Sequence, residues 1–396
     1  MNFKSILRYL SLKYWIVYIW LTAIAIYFGH LFFENGPITK YAQGIVDVIN
    51  IMCLFATLSQ INSFKGYSRR ILKTIIFLTI LFVLYTLLIN ESITVSGTNG
   101  TSISQLKLLL FSMTSIFPPV YFYRKGLLDD NVVKCSFFLL VLMSYLTFFS
   151  FRGYLQDLNG TENSVNNMGY LIVSLFPLSF LFKNPIRFVY WGLCLFIVFL
   201  GAKRGALLLA STLVVVSVFL SMRNIKIYQK IILLGIICFG FYYFFELFGD
   251  SFLYTLNRLQ DSGFESHSRQ DIQSRIIDGF LNGNPIHWFF GYGPVGSLHL
   301  STNFAHNDWL EILADYGLLG FIPYLLFYIF LIKYWFSIRK TDYTLSLILL
   351  SALICCIFKS MLSMCFYSIE NCVIMYAIGY VIAKKENNTV YCSTKY

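Results

Sequence analysis

Long apolar runs, separated by short polar stretches, repeat along almost the whole chain. Runs of about 15 to 22 apolar residues are long enough to cross a bilayer as α-helices. The pattern therefore predicts about twelve transmembrane helices. They lie near 12–33, 43–60, 72–90, 105–122, 132–150, 168–183, 187–202, 205–221, 230–248, 309–332, 344–360 and 370–383. The weakest are 43–60, which carries Asp47 and Asn50, and the short pair around 187–221.

Composition supports an all-α integral membrane protein with one polytopic domain over residues 1–396. Hydrophobic residues make up 57% of the chain, charged residues only 12%, and the mean hydropathy is +0.67. These values lie far outside the range of soluble domains. The net charge of +11 comes from Lys and Arg scattered through short loops. A bias of such loops toward the cytoplasm explains that charge, and nucleic-acid binding is set aside.

Lys and Arg concentrate in alternate loops, and short loops rich in these residues stay on the cytoplasmic side. With the N-terminus inside, both termini are predicted to be cytoplasmic. The predicted outer loops carry Lys40, Lys107, Arg152, Lys203, Arg204, Arg258, Arg269, Arg275 and Lys359. The nine cysteines lie mostly inside apolar runs and form no CxxC pair, so neither a disulfide frame nor a metal site is expected.

One long connection, residues 249–304, is predicted to lie outside the cytoplasmic membrane. Long loops in compact proteins are usually functional. Within it, Ile272, Ile276, Phe280 and Leu281 have helical spacing, and Gly283-Asn284-Pro285 follows. We therefore expect a short amphipathic helix on the outer membrane surface.

The stretch STNFAHNDWLEILADYGLLGF, residues 301–321, combines polar groups with an apolar run. One of residues 301–303 is expected to cap a helix that begins near Phe304. His306 would then lie where this helix enters the bilayer, on the same face as Gly317 and Gly320. Those glycines would let another helix pack closely. A lone histidine in such a place usually has only a structural role, so the other features of the chain decide its interpretation.

Two groups of cations accompany this histidine on the predicted outer side. Lys203 and Arg204 lie in GAKRGALLLA, at a turn between two short apolar spans. Their side chains either extend to the water at the membrane interface or bind an anion. Arg275 and Arg269 lie in the long loop, where an arginine is normally only solvated. Taken together with Arg204, they supply planar, permanently charged donors suited to a diphosphate.

Three stretches resemble motifs of the O-antigen ligase and polymerase superfamily, the Wzy/WaaL-type membrane glycosyltransferases. His306-Asn307 followed by Gly317-x-x-Gly320 resembles its signature. GAKRGALLLA resembles its short Arg-Gly segment, and SRIIDGFLNGNPIHWFFGYGPVG its Arg-containing helix and glycine-rich turn. A fourth, NSVNNMGYLIVSLFPLSFL, resembles the start of an earlier helix. The likeness covers roughly residues 150 to 335.

The resemblance implies a GT-C-like fold and a concrete reaction. Members use an undecaprenyl-diphosphate-linked glycan at the outer face of the bacterial cytoplasmic membrane, without a metal or a nucleotide sugar. We expect Arg204 and Arg275 to bind the diphosphate, where fixed guanidinium groups stabilise developing charge. His306 fits either a general base, which we favour, or a phosphate ligand. Further substrate-binding candidates are Asn307, Asn167, Arg152, Lys203 and Arg269.

Three functions stay open at this stage. A polymerase would join lipid-linked repeat units, with a chain-length regulator as a further partner. A ligase would move the finished glycan onto lipid A-core. Both use the same donor chemistry, and the polymerase is favoured only because such enzymes are more numerous. A flippase would need mid-bilayer charges and paired repeats, whereas the candidates here cluster at the outer membrane end.

Overall fold

The computed structural model describes residues 14–33, 36–95, 98–159, 166–221, 228 and 267–393. Helices are numbered in chain order among these residues. The first half contains α1 (Trp15–Phe28), α2 (Pro37–Ser59), α3 (Gly66–Leu88), α4 (Ser102–Thr114), α5 (Phe117–Arg124), α6 (Asp130–Asn159), α7 (Gly169–Ser174), α8 (Asn184–Leu200) and α9 (Arg204–Ser221). The second half contains α10 (His267–Leu281), α11 (Pro285–Phe290), α12 (Ser297–Leu300), α13 (Asp308–Ile338), α14 (Tyr343–Leu362) and α15 (Asn371–Ser393). Short 3₁₀ turns lie at Ile61–Ser63 and Phe176–Leu181.

Among the described residues, six helical segments are long and apolar enough to cross a membrane: α2, α3, α4 with α5, α6, α13 and α14. Four shorter apolar segments accompany them: α1, Gly169–Leu181, α8 and α9. The chain is thus a predominantly helical, multi-pass membrane protein. Every predicted span coincides with helix except the one at 230–248, which lies outside the described residues. The count of twelve therefore stays a prediction.

Prolines divide two of the predicted spans. The span predicted at 105–122 is broken between α4 and α5, just before Pro118 and Pro119. The span at 168–183 changes from α7 to a 3₁₀ turn just before Pro177. Proline donates no backbone hydrogen bond and its ring crowds the preceding turn, so it favours the start of a helical segment.

An antiparallel hairpin, which the sequence pattern did not predict, lies between α3 and α4. Strand β1 (Ser92–Val95) pairs with β2 (Thr98–Thr101), and Ile93 lies opposite Gly100. β-branched residues favour strands, which local apolar periodicity did not reveal. A Cβ atom at Gly100 would lie only 2.7 Å from Leu298, so the hairpin packs closely against the segment that precedes His306.

A buried network explains the polar residue in the weakest predicted span. Asn50 of α2 accepts a hydrogen bond of 2.9 Å from the Trp20 indole and donates one of 3.1 Å to Ser115. Both amide ends are therefore satisfied inside the bundle, which removes most of the cost of burying this side chain.

Lys359, predicted in a connecting loop, instead lies in the last turn of α14. Its ammonium group forms a 2.8 Å ion pair with Glu370 and also contacts Ser368. The hydropathy pattern missed this position because its cost is offset by a partner distant in sequence.

Candidate functional site

The backbone turns sharply just before α13. Asn307 is the N-cap of this helix, and its side chain accepts hydrogen bonds from Trp309 N (2.9 Å) and Leu310 N (3.3 Å). The predicted start near Phe304 is therefore wrong, because the capping side chain comes four residues later than expected. His306 has a φ of 50°, in the left-handed region that non-glycine residues rarely adopt. The cap and this turn determine the direction in which the His306 side chain projects from the backbone.

Three carboxylates lie on the first turns of α13 with no exposure to solvent: Asp308, Glu311 and Asp315. Glu311 accepts hydrogen bonds from Ser297 Oγ (2.7 Å) and Ala305 N (2.8 Å). Ala305 is the residue directly before His306. One buried side chain thus holds the α12 segment and the histidine segment against the same helix.

The other two carboxylates bind the connection between α14 and α15. Asp308 Oδ2 accepts hydrogen bonds from Cys365 N (2.8 Å) and Phe366 N (2.9 Å), and Asp315 Oδ2 accepts one of 3.0 Å from the Tyr367 hydroxyl. The acids were not recognised as buried in the sequence. Their spacing of three and four residues was the available signal, since it puts them on one helical face.

His306 is partly buried and lies near two cations. Its pKa is lowered first by burial and then by the positive charges of Arg269 and Lys203. These three residues come from segments far apart in the sequence, and each lies close to the start of a helix: α13, α10 and α9. The fold therefore brings three of the predicted site residues into one electrostatic environment.

Arg269 is anchored on the inward side of α10. Its Nη1 atom donates a 3.0 Å hydrogen bond to the Leu362 carbonyl at the end of α14. One turn later, Gln273 donates to the Ala305 carbonyl at 3.3 Å, and Ile276 packs against Ala305 and Ala314. Helix α10 therefore lies along the segment that carries His306.

Arg275 occupies a different face of α10. Six residues separate it from Arg269, so at about 100° per residue the two side chains point in clearly different directions. Arg275 is exposed whereas Arg269 is half-buried. The role of Arg275 as a diphosphate ligand stays a prediction. Arg258 lies outside the described residues.

The turn that carries Lys203 and Arg204 is held by neighbouring segments. Ala202 has a φ of 47°. The Gly201 carbonyl accepts a 2.7 Å hydrogen bond from Asn166 N, and the Leu200 carbonyl accepts one of 3.1 Å from Arg152. Lys203 and Arg204 are both half-buried, and Arg204 begins α9. Arg152 thus lies beside the cationic turn.

Asn166, rather than the predicted Asn167, is the buried amide of its segment. Its side chain donates to the Phe148 carbonyl at 2.8 Å and accepts from Met168 N at 2.8 Å, whereas Asn167 is exposed. The resemblance alone did not distinguish these two neighbours, since the side chains of adjacent residues in one turn differ mainly in the direction in which they point. Asn167 stays a candidate for substrate binding.

Gly317 and Gly320 have different surroundings. Gly317 interrupts α13 with φ 59° and ψ −157°, and a Cβ there would lie 2.6 Å from the backbone of Phe289 and of Gly291. Gly317 therefore admits the backbone of another segment, while a Cβ at Gly320 would meet Tyr316 of the same helix. The continuous face expected from His306 to Gly320 is broken at Gly317.

The fold and these contacts define a class: a polytopic, helical membrane protein with a histidine and cations gathered at helix ends. In the part of the chain that the structure describes, no cluster of three His, Cys, Asp or Glu side chains could hold a metal ion. Residues 189–325 match the family described as O-antigen ligase. This match supports placing the chain in the O-antigen ligase and polymerase superfamily and confirms the resemblance seen in its motifs. No curated protein matches the chain.

The Glu311 contacts lead to a local prediction. In Glu311→Ala, the Ala305 N–H and the Ser297 hydroxyl lose their acceptor, at a cost of about 1–3 kcal/mol for each buried group. Amide hydrogens of residues 303–307 should therefore exchange roughly 10- to 100-fold faster, as measured by mass spectrometry in detergent. Glu311→Gln, which keeps one carbonyl oxygen, should show a smaller change. Wild-type exchange in Glu311→Ala would contradict this role.

Proposed function

We propose that the protein is a surface-polysaccharide polymerase that joins undecaprenyl-diphosphate-linked oligosaccharide repeat units. The superfamily carries out ligase- or polymerase-type glycan transfer. The observation that supports this proposal most strongly is His306 beside Arg269 and Lys203, with its pKa lowered by burial and by both cations. We place the site at the outer face of the bacterial cytoplasmic membrane and both termini in the cytoplasm.

The proposed reaction is a single displacement. An acceptor hydroxyl attacks the anomeric carbon of the donor, a new C–O bond forms, and the bond from that carbon to the diphosphate oxygen breaks. The electron pair leaves with undecaprenyl diphosphate, and the hydroxyl proton passes to the neutral His306 ring. A lowered pKa keeps this ring neutral and able to accept that proton.

The cations have the complementary task. Arg269 and Lys203 lie within electrostatic range of His306, and Arg204 follows Lys203 directly at the start of α9. Fixed positive groups in a partly dehydrated site stabilise the charge that develops on a departing diphosphate. Asn307 is committed to the cap of α13, so its contribution is to orient His306.

The second candidate function is a ligase that transfers the lipid-linked glycan to lipid A-core. The match to the O-antigen ligase family supports a ligase as directly as it supports a polymerase. A flippase would use the same cations to hold the diphosphate without breaking a bond. The two enzymes differ in the acceptor, which makes the product pattern decisive.

The main test is transfer by purified protein supplied with lipid-diphosphate glycan. Wild-type protein should produce a ladder of glycans without lipid A-core, and His306→Ala should abolish the ladder while inserting normally into membranes. Thr302→Ala, an exposed change nearby, is the matched control and should behave as wild type. Product that appears only with lipid A-core would indicate the ligase, and translocation without bond formation would indicate the transporter.

The two arginines of α10 provide a second test. The resemblance predicts that Arg275→Ala abolishes transfer, whereas the geometry favours Arg269. We expect Arg269→Ala to lower kcat/KM by about 100-fold or more, the usual effect of removing one charge-stabilising donor, and Arg275→Ala to lower it less. Arg269→Lys keeps the positive charge but alters the hydrogen bond to the Leu362 carbonyl, so it separates the effect of the charge from that of this bond. An equal or larger loss in Arg275→Ala would reject the geometric choice.

The pKa of His306 gives a third test. Lys203→Gln removes a positive charge that disfavours protonation, so the pKa of His306 should rise toward its ordinary value. The base is then protonated at a higher pH, and the acid limb of the kcat/KM profile should move to higher pH. Lys340→Gln, exposed and on a different loop, should leave that limb unchanged. An unmoved limb in Lys203→Gln would count against His306 as the base.

A further inference from the structure

Helix α11 presents an unusual apolar surface beside this site. None of its residues is buried. Ile286 and Phe289 are 62% and 60% exposed, and Phe290 is 53% exposed. This segment is too short to cross a membrane, so its exposed rings are not explained by a transmembrane span.

The polar groups of α11 nevertheless have partners within the protein. Asn284 caps the helix by accepting a 3.0 Å hydrogen bond from Ile286 N. The Trp288 indole donates to the Phe280 carbonyl at 2.8 Å. His287 Nδ1 lies 3.0 Å from the Gly291 carbonyl oxygen, and its ring stacks on Tyr292. Satisfied polar groups are what a segment needs where water is absent.

The break in α13 provides hydrogen-bond acceptors for the backbone that follows α11. Because Gly317 leaves helical geometry, carbonyl groups of the preceding turn become available to other donors. Tyr292 N donates to the Ala314 carbonyl at 2.8 Å, and Gly293 N donates to the Asp315 carbonyl at 3.0 Å. The chain leaving α11 therefore donates backbone hydrogen bonds to the interrupted helix.

The length of α13 indicates the depth of this contact. As one straight helix its 31 residues would extend about 46 Å, whereas a hydrocarbon core is only about 30 Å thick. The part after Gly317 is by itself roughly 31 Å long, and its single charged residue, Lys333, lies near its far end, where a long side chain can reach the interface. Asp308, Glu311 and Asp315 all precede Gly317. The glycine, and α11 packed against it, therefore lie at the hydrocarbon boundary.

We propose that α11 is inserted into one leaflet at this boundary and contacts the acyl chains of bilayer lipids. Aromatic residues favour this level of a membrane, and short amphipathic segments bind there through their apolar face. Leu319 and Ile322, just beyond the break in α13, are exposed apolar residues at the start of the stretch assigned to hydrocarbon. The inference depends on the multi-pass architecture and is independent of the proposed glycan transfer.

The test is photo-crosslinking in vesicles of phosphatidylethanolamine and phosphatidylglycerol. p-Benzoyl-L-phenylalanine replaces Phe289 in the full-length protein, and Asp278 on the polar side of α10 is the matched control position. Phospholipid adducts, identified by mass spectrometry of the peptides, should dominate at position 289 and be minor at position 278. If substitution of Phe289 impairs folding, the exposed ring of Phe290 provides a second position with the same expectation.

Other products would overturn the proposal. Adducts between two copies of the chain would assign the surface to a dimer interface. Adducts to another segment of the same chain would show that the protein itself covers α11. Equal lipid labelling at 278 and 289, or only water-quenched product at 289 and 290, would place α11 outside the hydrocarbon.

Discussion

The arrangement of the candidate site depends on three buried carboxylates at the start of α13. Burying an acidic side chain is costly, and hydrogen-bond donors around it lower that cost. Asp308, Glu311 and Asp315 collect donors from the α12 segment, from the residue before His306 and from the connection between α14 and α15. Because each carboxylate needs these donors, the three connections have little freedom to move apart. This end of the bundle is thereby fixed around one helix.

Gly317 separates two chemically different parts of that helix. The acidic part binds loops through hydrogen bonds, and the part beyond it is long and apolar enough to cross the membrane. A regular helix would keep its carbonyl groups for itself, whereas the break releases those of Ala314 and Asp315 to the chain after α11. The glycine signature therefore has a structural basis: it lets a loop join the helix through backbone hydrogen bonds.

Local sequence patterns predicted much of this architecture. Hydropathy predicted the positions of most helices because each helix in lipid satisfies its own backbone, and the motif from His306 to Gly320 indicated the candidate site. Features that depend on distant partners were missed. The hairpin packs on Leu298, Lys359 is tolerated because of Glu370, and Glu311 acquires its role only when Ala305 and Ser297 meet it. Periodicity contained one unused signal, since Arg269 shares a face with Ile276 seven residues later while Arg275 does not.

The proposed chemistry explains why a histidine would be placed among cations that make it harder to protonate. Burial, together with the positive charges of Arg269 and Lys203, lowers the pKa of His306 and so favours the neutral ring. A diphosphate bound between these groups would offset their charge and raise the pKa of the ring. The base would then become stronger when the donor is in place and the acceptor proton must be removed. The same cations would bind the leaving group and link its presence to the basicity of His306, so substrate binding and proton transfer would follow from one set of charges.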